Sequence, residues 1–206
     1  MASIEATPPA RTPGTPRLPR AEREAQVLDA ASLAFGQVGY AGASVADVAD
    51  RLGVSKALIL AYFGSKDALY AACVARAAAN LVPGIEAAIS PPRPAPEMAQ
   101  ATLAAIFTAL EARPSDWNLI HDRSVPHGTS GAEQAKRLRV TIADQATRGV
   151  RAVSSSADVR DEDDTEILTE IWMGAVTAVV DWWLRHPGRS AEEMIERCQR
   201  LVYSVM

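Results

Sequence analysis

The sequence has few of the residues on which disulfide-bonded, metal-binding and β-sheet proteins depend. Two of its 206 residues are cysteines and three are histidines. Cys73 and Cys198 lie far apart and outside any CxxC or Cys/His cluster, so we expect two buried free thiols, no disulfide framework and no metal site. Aromatic residues make up only 5% of the chain, while alanine and leucine dominate and β-branched runs are scarce. This composition predicts an all-α fold.

A strong excess of positive charge is missing as well. The net charge is −4 and the pI is about 5.4, which excludes a protein coated with basic residues for nucleic-acid binding. Any contact with DNA must therefore be confined to one face. Residues 1–20 contain five prolines and no apolar segment of a signal peptide, so we predict a disordered tail on a cytoplasmic protein that does not enter a membrane. The tail arginines Arg11, Arg17 and Arg20 either have no role or form an arm that reaches DNA.

Residues 44–63 read as two short helices joined by a tight turn. Ser44 and Asp47 have the spacing of a capping box, and Gly53 can end the first helix in the left-handed conformation. Ser55 can cap the second helix, which has only about two turns and needs other helices to stabilise it. The apolar stripe of the first helix consists of Val45, Val48, Ala49 and Leu52. This arrangement is a helix-turn-helix, whose second helix fits the major groove of DNA.

Two segments, GVSK at residues 53–56 and YFGSKDAL at residues 62–69, resemble the signature of the TetR (tetracycline repressor) family of bacterial transcription regulators. The resemblance is specific over about residues 22–70. It implies about nine helices, with a DNA-binding domain at residues 21–81 and an effector-binding and dimerisation domain at residues 82–206. It also implies a homodimeric repressor, without enzyme activity or cofactor, that binds a palindromic double-stranded DNA operator and is released by a small-molecule effector.

The resemblance also assigns the residues that meet DNA: Ser44, Ser55, Lys56, Ala57, Leu58, Tyr62 and Lys66. The sequence departs from the family where many members carry Thr, Tyr and His, because it has Leu58, Leu60 and Ala61 there. Apolar side chains cannot form hydrogen bonds with base edges and can only contact the thymine methyl group. We therefore predict an operator with an A·T bias, whose affinity depends on phosphate contacts and DNA shape.

Helical periodicity divides the rest of the chain. Phe35 is the expected core anchor of a first helix over residues 21–38, and a fourth helix begins at Ser65, where Asp67 favours its own helix dipole. Its apolar stripe ends at Leu81, and Pro83 is expected to interrupt the helix before a connector at about residues 90–95. Further helices are predicted at residues 97–113, 132–153, 171–184 and 191–205. A short helix should also follow a cap at Ser115, and the acidic residues 160–164 should form a solvated helix start.

The segment at residues 171–184 is apolar on all sides, because only Thr177 and Asp181 are polar. At about 21 Å the segment is too short to span a bilayer. A helix that is apolar on all sides must then be covered by protein, so we expect one face to pack on the core of its own subunit and the other on a partner. The helix at residues 191–205, which Ser190 and Glu193 can cap, would complete a four-helix bundle between two chains. Candidate interface residues are Val179, Trp182, Trp183, Ile195, Cys198 and Val202.

The resemblance further implies an effector pocket in the C-terminal domain. Amphipathic and aromatic residues of suitable depth are the candidates, although each of them also suits a plain core position. They are Phe107, Trp117, Ile120, His121, Gln145, Trp172, Met173 and Val176. A mostly apolar lining favours an apolar, aromatic or lipid-like effector.

Two other classes of function compete with this interpretation. His121, Asp122 and Ser124 resemble a hydrolytic set, but neighbours in sequence point in different directions on a helix and no glycine-rich elbow surrounds the serine. The second class is a helical dimeric interaction or ligand-sensing protein that has the same fold and has lost sequence-specific DNA binding. The apolar second helix of the motif favours that alternative, whereas Lys56, Lys66 and the capped helix starts favour DNA.

Overall fold

The computed structural model describes residues 19–154 and 161–205, and within these ranges it contains nine helices and no strand. The predicted all-α fold is confirmed. The helices are α1 Arg20–Gly42, α2 Val45–Leu52, α3 Lys56–Phe63, α4 Lys66–Ile89, α5 Ala95–Leu110, α6 Asp116–His121, α7 Ser130–Ser154, α8 Glu162–Leu184 and α9 Ala191–Val205. The predicted tail, with Arg11 and Arg17, lies almost wholly outside the described residues.

The helices α1 to α3 and the first turns of α4 form the N-terminal unit. Phe35 is buried there as predicted, and its ring lies edge-on to Tyr70 at 5.0 Å and stacks on Tyr40 at 6.0 Å. Ile59 of α3 is fully buried in the same core. The short helix α3 is therefore held by the side chains of its neighbours, as its length requires.

The helix α4 leaves the N-terminal unit and continues into the C-terminal unit, where it packs on α5 and α7. The predicted interruption at Pro83 is wrong, because the helix runs through this proline to Ile89. A proline inside a helix costs about 3 kcal/mol. Burial of Leu81, Ile85 and Ala88 against the neighbouring helices offsets that cost.

Two other local predictions need correction. Ser115 does not cap α6, because its own backbone is already helical (φ −63°, ψ −16°) and its side chain forms no cap hydrogen bond. The eighth helix is much longer than the apolar segment 171–184, because its acidic start at Asp161 to Asp164 belongs to the same helix. The Ser190 and Glu193 capping box at the start of α9 is present, with bonds of 3.1 and 3.2 Å.

By length and composition, α4 and α8 are the two described helices that are apolar enough to cross a membrane. The length argument against a bilayer is wrong for α8, which has 23 residues. Charged groups argue more strongly, because α8 carries Glu166 and Glu170 in its first half. Arg76 and Glu86 of α4 form ion pairs with α1 and α7, so α4 is a core helix of the fold.

Candidate nucleic-acid interface and effector site

The helix-turn-helix has the local bonds that its sequence predicts. Ser44 Oγ accepts a hydrogen bond from the Asp47 N–H at 3.1 Å, and Asp47 Oδ2 accepts one from the Ser44 N–H at 3.0 Å. Gly53 ends α2 in the left-handed conformation (φ 62°, ψ 33°). Ser55 Oγ accepts from the Leu58 N–H at 3.2 Å. These bonds satisfy N–H groups at the starts of both helices, and the start of α3 lies at the surface, where Ser55 and Lys56 are exposed.

The helix α3 is exposed along one side only. Lys56, Ala57 and Ala61 are exposed, and Leu58 is half-buried without being part of the core. Leu60 packs against the core, so it does not face the DNA. Leu58 and Ala61 are therefore the two residues that stand in place of the base-reading side chains of the family. The exposed side therefore consists mainly of small apolar groups and one lysine.

Two cations flank this helix on aromatic rings. The guanidinium of Arg20 lies 5.3 Å from the ring centroid of Tyr62, and Lys66 Nζ lies 4.2 Å from the ring centroid of Tyr40. Both distances are typical of cation–π pairs. Tyr62 and Lys66 are predicted DNA contacts, whereas the contact of Tyr40 with Lys66 could not be predicted because the two residues are distant in sequence.

The charge of this unit is balanced. Between Arg20 and Lys66 the sequence carries five basic and five acidic residues. The positive groups available to phosphates are thus few, and they lie at helix starts, where the helix dipole also favours an anion. Ser55 and Lys56 open α3, and Ser65 and Lys66 open α4.

The fold and this geometry match known proteins. The family model of bacterial regulatory proteins of the tetR family matches residues 27–73, from α1 to the second turn of α4. A TetR-like transcriptional regulator from Rhodococcus sp. RHA1 has the same fold, with a TM-score of 0.70 and 24% identity over 91% of this chain and 97% of that one. Residues 27–73 of this chain are thus similar to the tetR family of bacterial regulatory proteins, and the fold of the chain is that of a TetR-like regulator.

Two further similar proteins bear on the function of this chain. FasR, an HTH-type transcriptional activator of Mycolicibacterium smegmatis, is 36% identical over 120 residues, which cover 58% of this chain. The match spans 55% of FasR, so this chain corresponds to about half of that relative. The transcriptional regulator FadR from Bacillus subtilis, in complex with stearoyl-CoA, has a TM-score of 0.63 and 16% identity over 88% of this chain and 98% of FadR. Both relatives are transcriptional regulators, and the residues that match the family model, 27–73, contain the helix-turn-helix of this chain.

Most of the predicted effector residues lie in the interior of the C-terminal unit. Phe107, Trp117, Ile120, Gln145 and Val176 are each at most 3% exposed. Trp172 and Met173 are half-buried against the same core, whereas His121 is exposed and lies beside the Trp117 ring at 5.1 Å. The candidates are therefore mostly buried, and His121 can line the interior only if the helices move.

Two of these buried side chains keep polar atoms without a partner. Among the described residues, neither Trp117 Nε1 nor Gln145 Oε1 finds a hydrogen-bond partner. The other end of the Gln145 amide is satisfied, because its Nε2 donates to the Val82 carbonyl at 3.0 Å and to Glu86 at 2.9 Å. A buried polar atom without a partner costs about 1–3 kcal/mol, so a ligand that bonds to it would gain that amount back.

A cleft of about 520 Å³ lies elsewhere, between the N-terminal unit and the α8–α9 turn. Gly36, Asn118, Trp183 and Arg189 are among its lining residues, and none of the eight predicted effector residues lines it. It is open to solvent and evenly polar and apolar, unlike the closed apolar pockets that hold lipids.

The predicted interface residues separate into two groups. Trp183 and Cys198 are 4% and 3% exposed within one subunit, and Trp183 packs edge-on against Phe107 at 5.2 Å. Both are therefore core residues, and they are withdrawn from the interface prediction. Trp182 is exposed, and Val179, Ile195 and Val202 are half-buried, so these four keep accessible surface.

The residues that resembled a hydrolytic set have another role. Ser124 Oγ donates to Asp122 Oδ1 at 2.7 Å, while the two side chains accept N–H bonds from Tyr40 and Ala41 of α1.

Burial raises the pKa of the Cys73 thiol to about 12, so this thiol is protonated and inert at neutral pH.

Proposed function

We propose that this protein is a TetR-family regulator, a homodimeric cytoplasmic repressor that binds a palindromic DNA operator and is released by an apolar effector. The observation that carries the proposal is the exposed start of α3, where Ser55 and Lys56 stand at the end of a helix that a glycine turn fixes against α2. Such an end offers backbone N–H groups and a cation to phosphates in and beside the major groove.

The proposed operator has an A·T bias. The exposed side of α3 offers Ala57 and Ala61, and Leu58 at its edge, for contact with thymine methyl groups. Lys56 is the residue of this side that can bond to guanine or phosphate. Most of the affinity should therefore come from Lys56, Tyr62 and Lys66 at the backbone, and the two lysines should make the affinity depend on salt.

The proposed dimer forms through α8 with a contribution from α9. Ile171 is 63% exposed, Leu168 is 38% exposed, and Trp182 is 36% exposed on one side of α8. Residues 171, 175, 178 and 182 follow the helical spacing of one stripe. Leu201 of α9 is 59% exposed as well. A second copy of the chain would cover this apolar face, which suits an isologous contact.

The proposed effector is a molecule with a long apolar part. The interior around Phe107 and Ile120 is apolar, and Trp117 and Gln145 supply one donor and one acceptor there without partners. The structure of FadR from Bacillus subtilis holds stearoyl-CoA, which makes this acyl thioester the first probe. Because the candidate residues are packed together, an effector must part α5, α7 and α8 to enter. That movement is the proposed cause of release from DNA.

DNA binding is tested by fluorescence anisotropy with a labelled fragment of the DNA upstream of the gene for this protein. We expect the wild type to bind and Lys56→Glu to lose at least about tenfold in affinity through phosphate repulsion. Lys136→Glu makes the same charge change on exposed α7 and serves as the matched control. Equal affinities for Lys56→Glu and Lys136→Glu would exclude the proposed face, and no binding by any variant would favour the interaction protein that has lost DNA binding.

Release and repression are tested with the same fragment. Stearoyl-CoA should dissociate the wild-type complex, while free coenzyme A should not, because the apolar chain supplies the affinity. In a transcription assay, addition of the protein should lower transcript levels from this fragment. An increase would make the protein an activator, as the name of FasR indicates for that relative.

A further inference from the structure

The helix α1 is broken near its end by Gly39, which has a positive φ of 73°. The break frees the N–H groups of the following turn, and residues after α6 bind them. Asp122 Oδ2 accepts from the Tyr40 N–H at 2.6 Å, and Ser124 Oγ accepts from the Ala41 N–H at 3.0 Å. The C-terminal unit thus holds a turn of the DNA-binding unit across more than 80 residues of sequence.

The holding side chain is itself well fixed. Asp122 Oδ1 accepts from both the backbone N–H and the hydroxyl of Ser124, at 2.8 and 2.7 Å. Glycine suits the positive φ at this position, and a Cβ atom at Gly39 would make a tight contact of 3.1 Å with Ser124 Oγ. The contact is therefore a specific clasp, which we define as Asp122 and Ser124 on the turn at residues 39–41.

The ring of Tyr40 connects this clasp to a predicted DNA contact. It is confined by Phe35, which stacks on it, and by Tyr70, which meets it edge-on at 5.3 Å. Lys66 Nζ lies 4.2 Å from the centroid of the Tyr40 ring. Since Lys66 is half-buried at the start of α4, the ring limits the positions that its ammonium group can take.

We infer that Asp122 is a positioning residue for DNA binding, because its carboxylate fixes the Tyr40 turn and the Tyr40 ring holds the Lys66 ammonium towards the phosphates. The inference deepens the proposed function and rests on it. Asp122 directly follows α6, which carries the effector candidates Trp117 and Ile120. An effector that shifts α6 would move the clasp and thereby withdraw one phosphate contact.

The test is a double-mutant cycle on DNA affinity. Asp122→Asn should weaken binding about two- to fivefold and reduce the magnitude of the salt slope by about two in the wild type, because each subunit of the homodimer loses one phosphate contact. In the Lys66→Ala background it should change neither quantity. In the Lys56→Ala background, Asp122→Asn should lower the affinity and the salt slope by the same amounts as in the wild type, because Lys56 lies on α3 and does not contact Tyr40.

Two variants separate positioning from mere docking of the two units. Tyr40→Phe keeps the ring and should preserve the salt slope, whereas Tyr40→Leu should reduce it as Asp122→Asn does. Asn118→Ala removes another bond between the units, from Asn118 Nδ2 to the Gly36 carbonyl at 2.8 Å, and leaves the clasp intact. It should leave the salt slope unchanged. An effect of Asp122→Asn that is equal in the wild-type and Lys66→Ala backgrounds would overturn the inference.

A measurement without DNA keeps the inference separate from the proposed function. A methylene next to an ammonium that lies over an aromatic ring gives upfield-shifted proton signals in NMR. We expect such shifts for the Lys66 side chain in the wild type and their loss in Asp122→Asn, with both proteins folded by circular dichroism. Unshifted Lys66 signals in the wild type, or shifts that persist in Asp122→Asn, would refute the relay even if the protein binds its operator.

Discussion

Asp67 offers the sharpest test of how the two units are held together, because it caps a helix other than its own. Its carboxylate accepts from the N–H groups of Ser130 at 3.0 Å and Gly131 at 2.9 Å, and also from the Ser130 hydroxyl. These donors stand at the start of α7, where N–H groups lack partners within the helix. Asp67→Asn keeps one acceptor oxygen and loses the charge.

The size of the effect follows from these bonds. A hydrogen bond to a charged group contributes about 1.5–3 kcal/mol, and loss of a helix cap costs about 0.5–2 kcal/mol. Because Asp67 is only half-buried and asparagine retains part of the cap, we expect Asp67→Asn to lower the free energy of unfolding by about 1–2 kcal/mol at pH 7. Ser65→Ala, which removes the cap of α4 itself (Ser65 Oγ to the Ala68 N–H, 3.0 Å), is the matched control.

The dependence on pH distinguishes the two variants. Burial alone would raise the pKa of Asp67, but the hydrogen bonds from Ser130, Gly131 and Thr129 outweigh it and hold the pKa below its ordinary value. The lower pKa belongs to the folded state, so this stabilisation is complete above the unfolded pKa of about 4 and is lost as the pH falls through the folded value.

Urea unfolding of both variants and the wild type, at one protein concentration and between pH 7 and pH 3, measures these differences. The difference between wild type and Asp67→Asn should shrink below about pH 4, and that between wild type and Ser65→Ala should stay constant. A difference for Asp67→Asn that is below about 0.5 kcal/mol at pH 7, or that does not change with pH, would refute the cap across units.

Three further predictions concern the same framework. Gly131→Ala should destabilise by about 1–3 kcal/mol in urea unfolding, because its Cβ would lie 2.8 Å from the buried Tyr70 ring; a neutral result would contradict this packing. Tyr70→Phe should cost about 1–2 kcal/mol, since the Leu119 carbonyl loses the hydroxyl that donates to it at 2.7 Å, and an unchanged unfolding midpoint would contradict that. Hydrogen bonds from Arg148 hold the pKa of Glu86 at about 2. The stability difference between wild type and Glu86→Gln in thermal melts should therefore fade as the pH drops from about 5 to 2. A difference that stays constant across that range would count against the ion pair of Glu86 with Arg148.

The helix-turn-helix was predictable because its determinants are local. The Ser44 and Asp47 cap, the left-handed Gly53 and the Ser55 cap each act over three or four residues, and all of them are present. Phe35 was predictable as a core residue because it is the bulkiest group on an amphipathic helix, and it is 2% exposed.

The wrong predictions concern features that depend on contacts between residues distant in sequence. Asp67 was assigned to its own helix dipole, but it binds α7 more than 60 residues away. Trp183 was placed at the interface because an apolar helix does not show which side faces its own core, and only the contact with Phe107 decides that. Pro83 was read as a helix end, although packing against two neighbouring helices keeps α4 continuous.

The two carboxylates that cross between the units are placed reciprocally. Asp67 of the DNA-binding unit holds the start of α7, and Asp122 of the C-terminal unit holds the turn that follows Gly39. A rotation of one unit against the other must break at least one of these contacts, each of which is a charge-assisted bond of about 1.5–3 kcal/mol. Coupling free energies in allosteric proteins are typically about 1–3 kcal/mol. Release of the two carboxylates together would therefore be comparable in free energy to the coupling that an effector needs to control DNA binding.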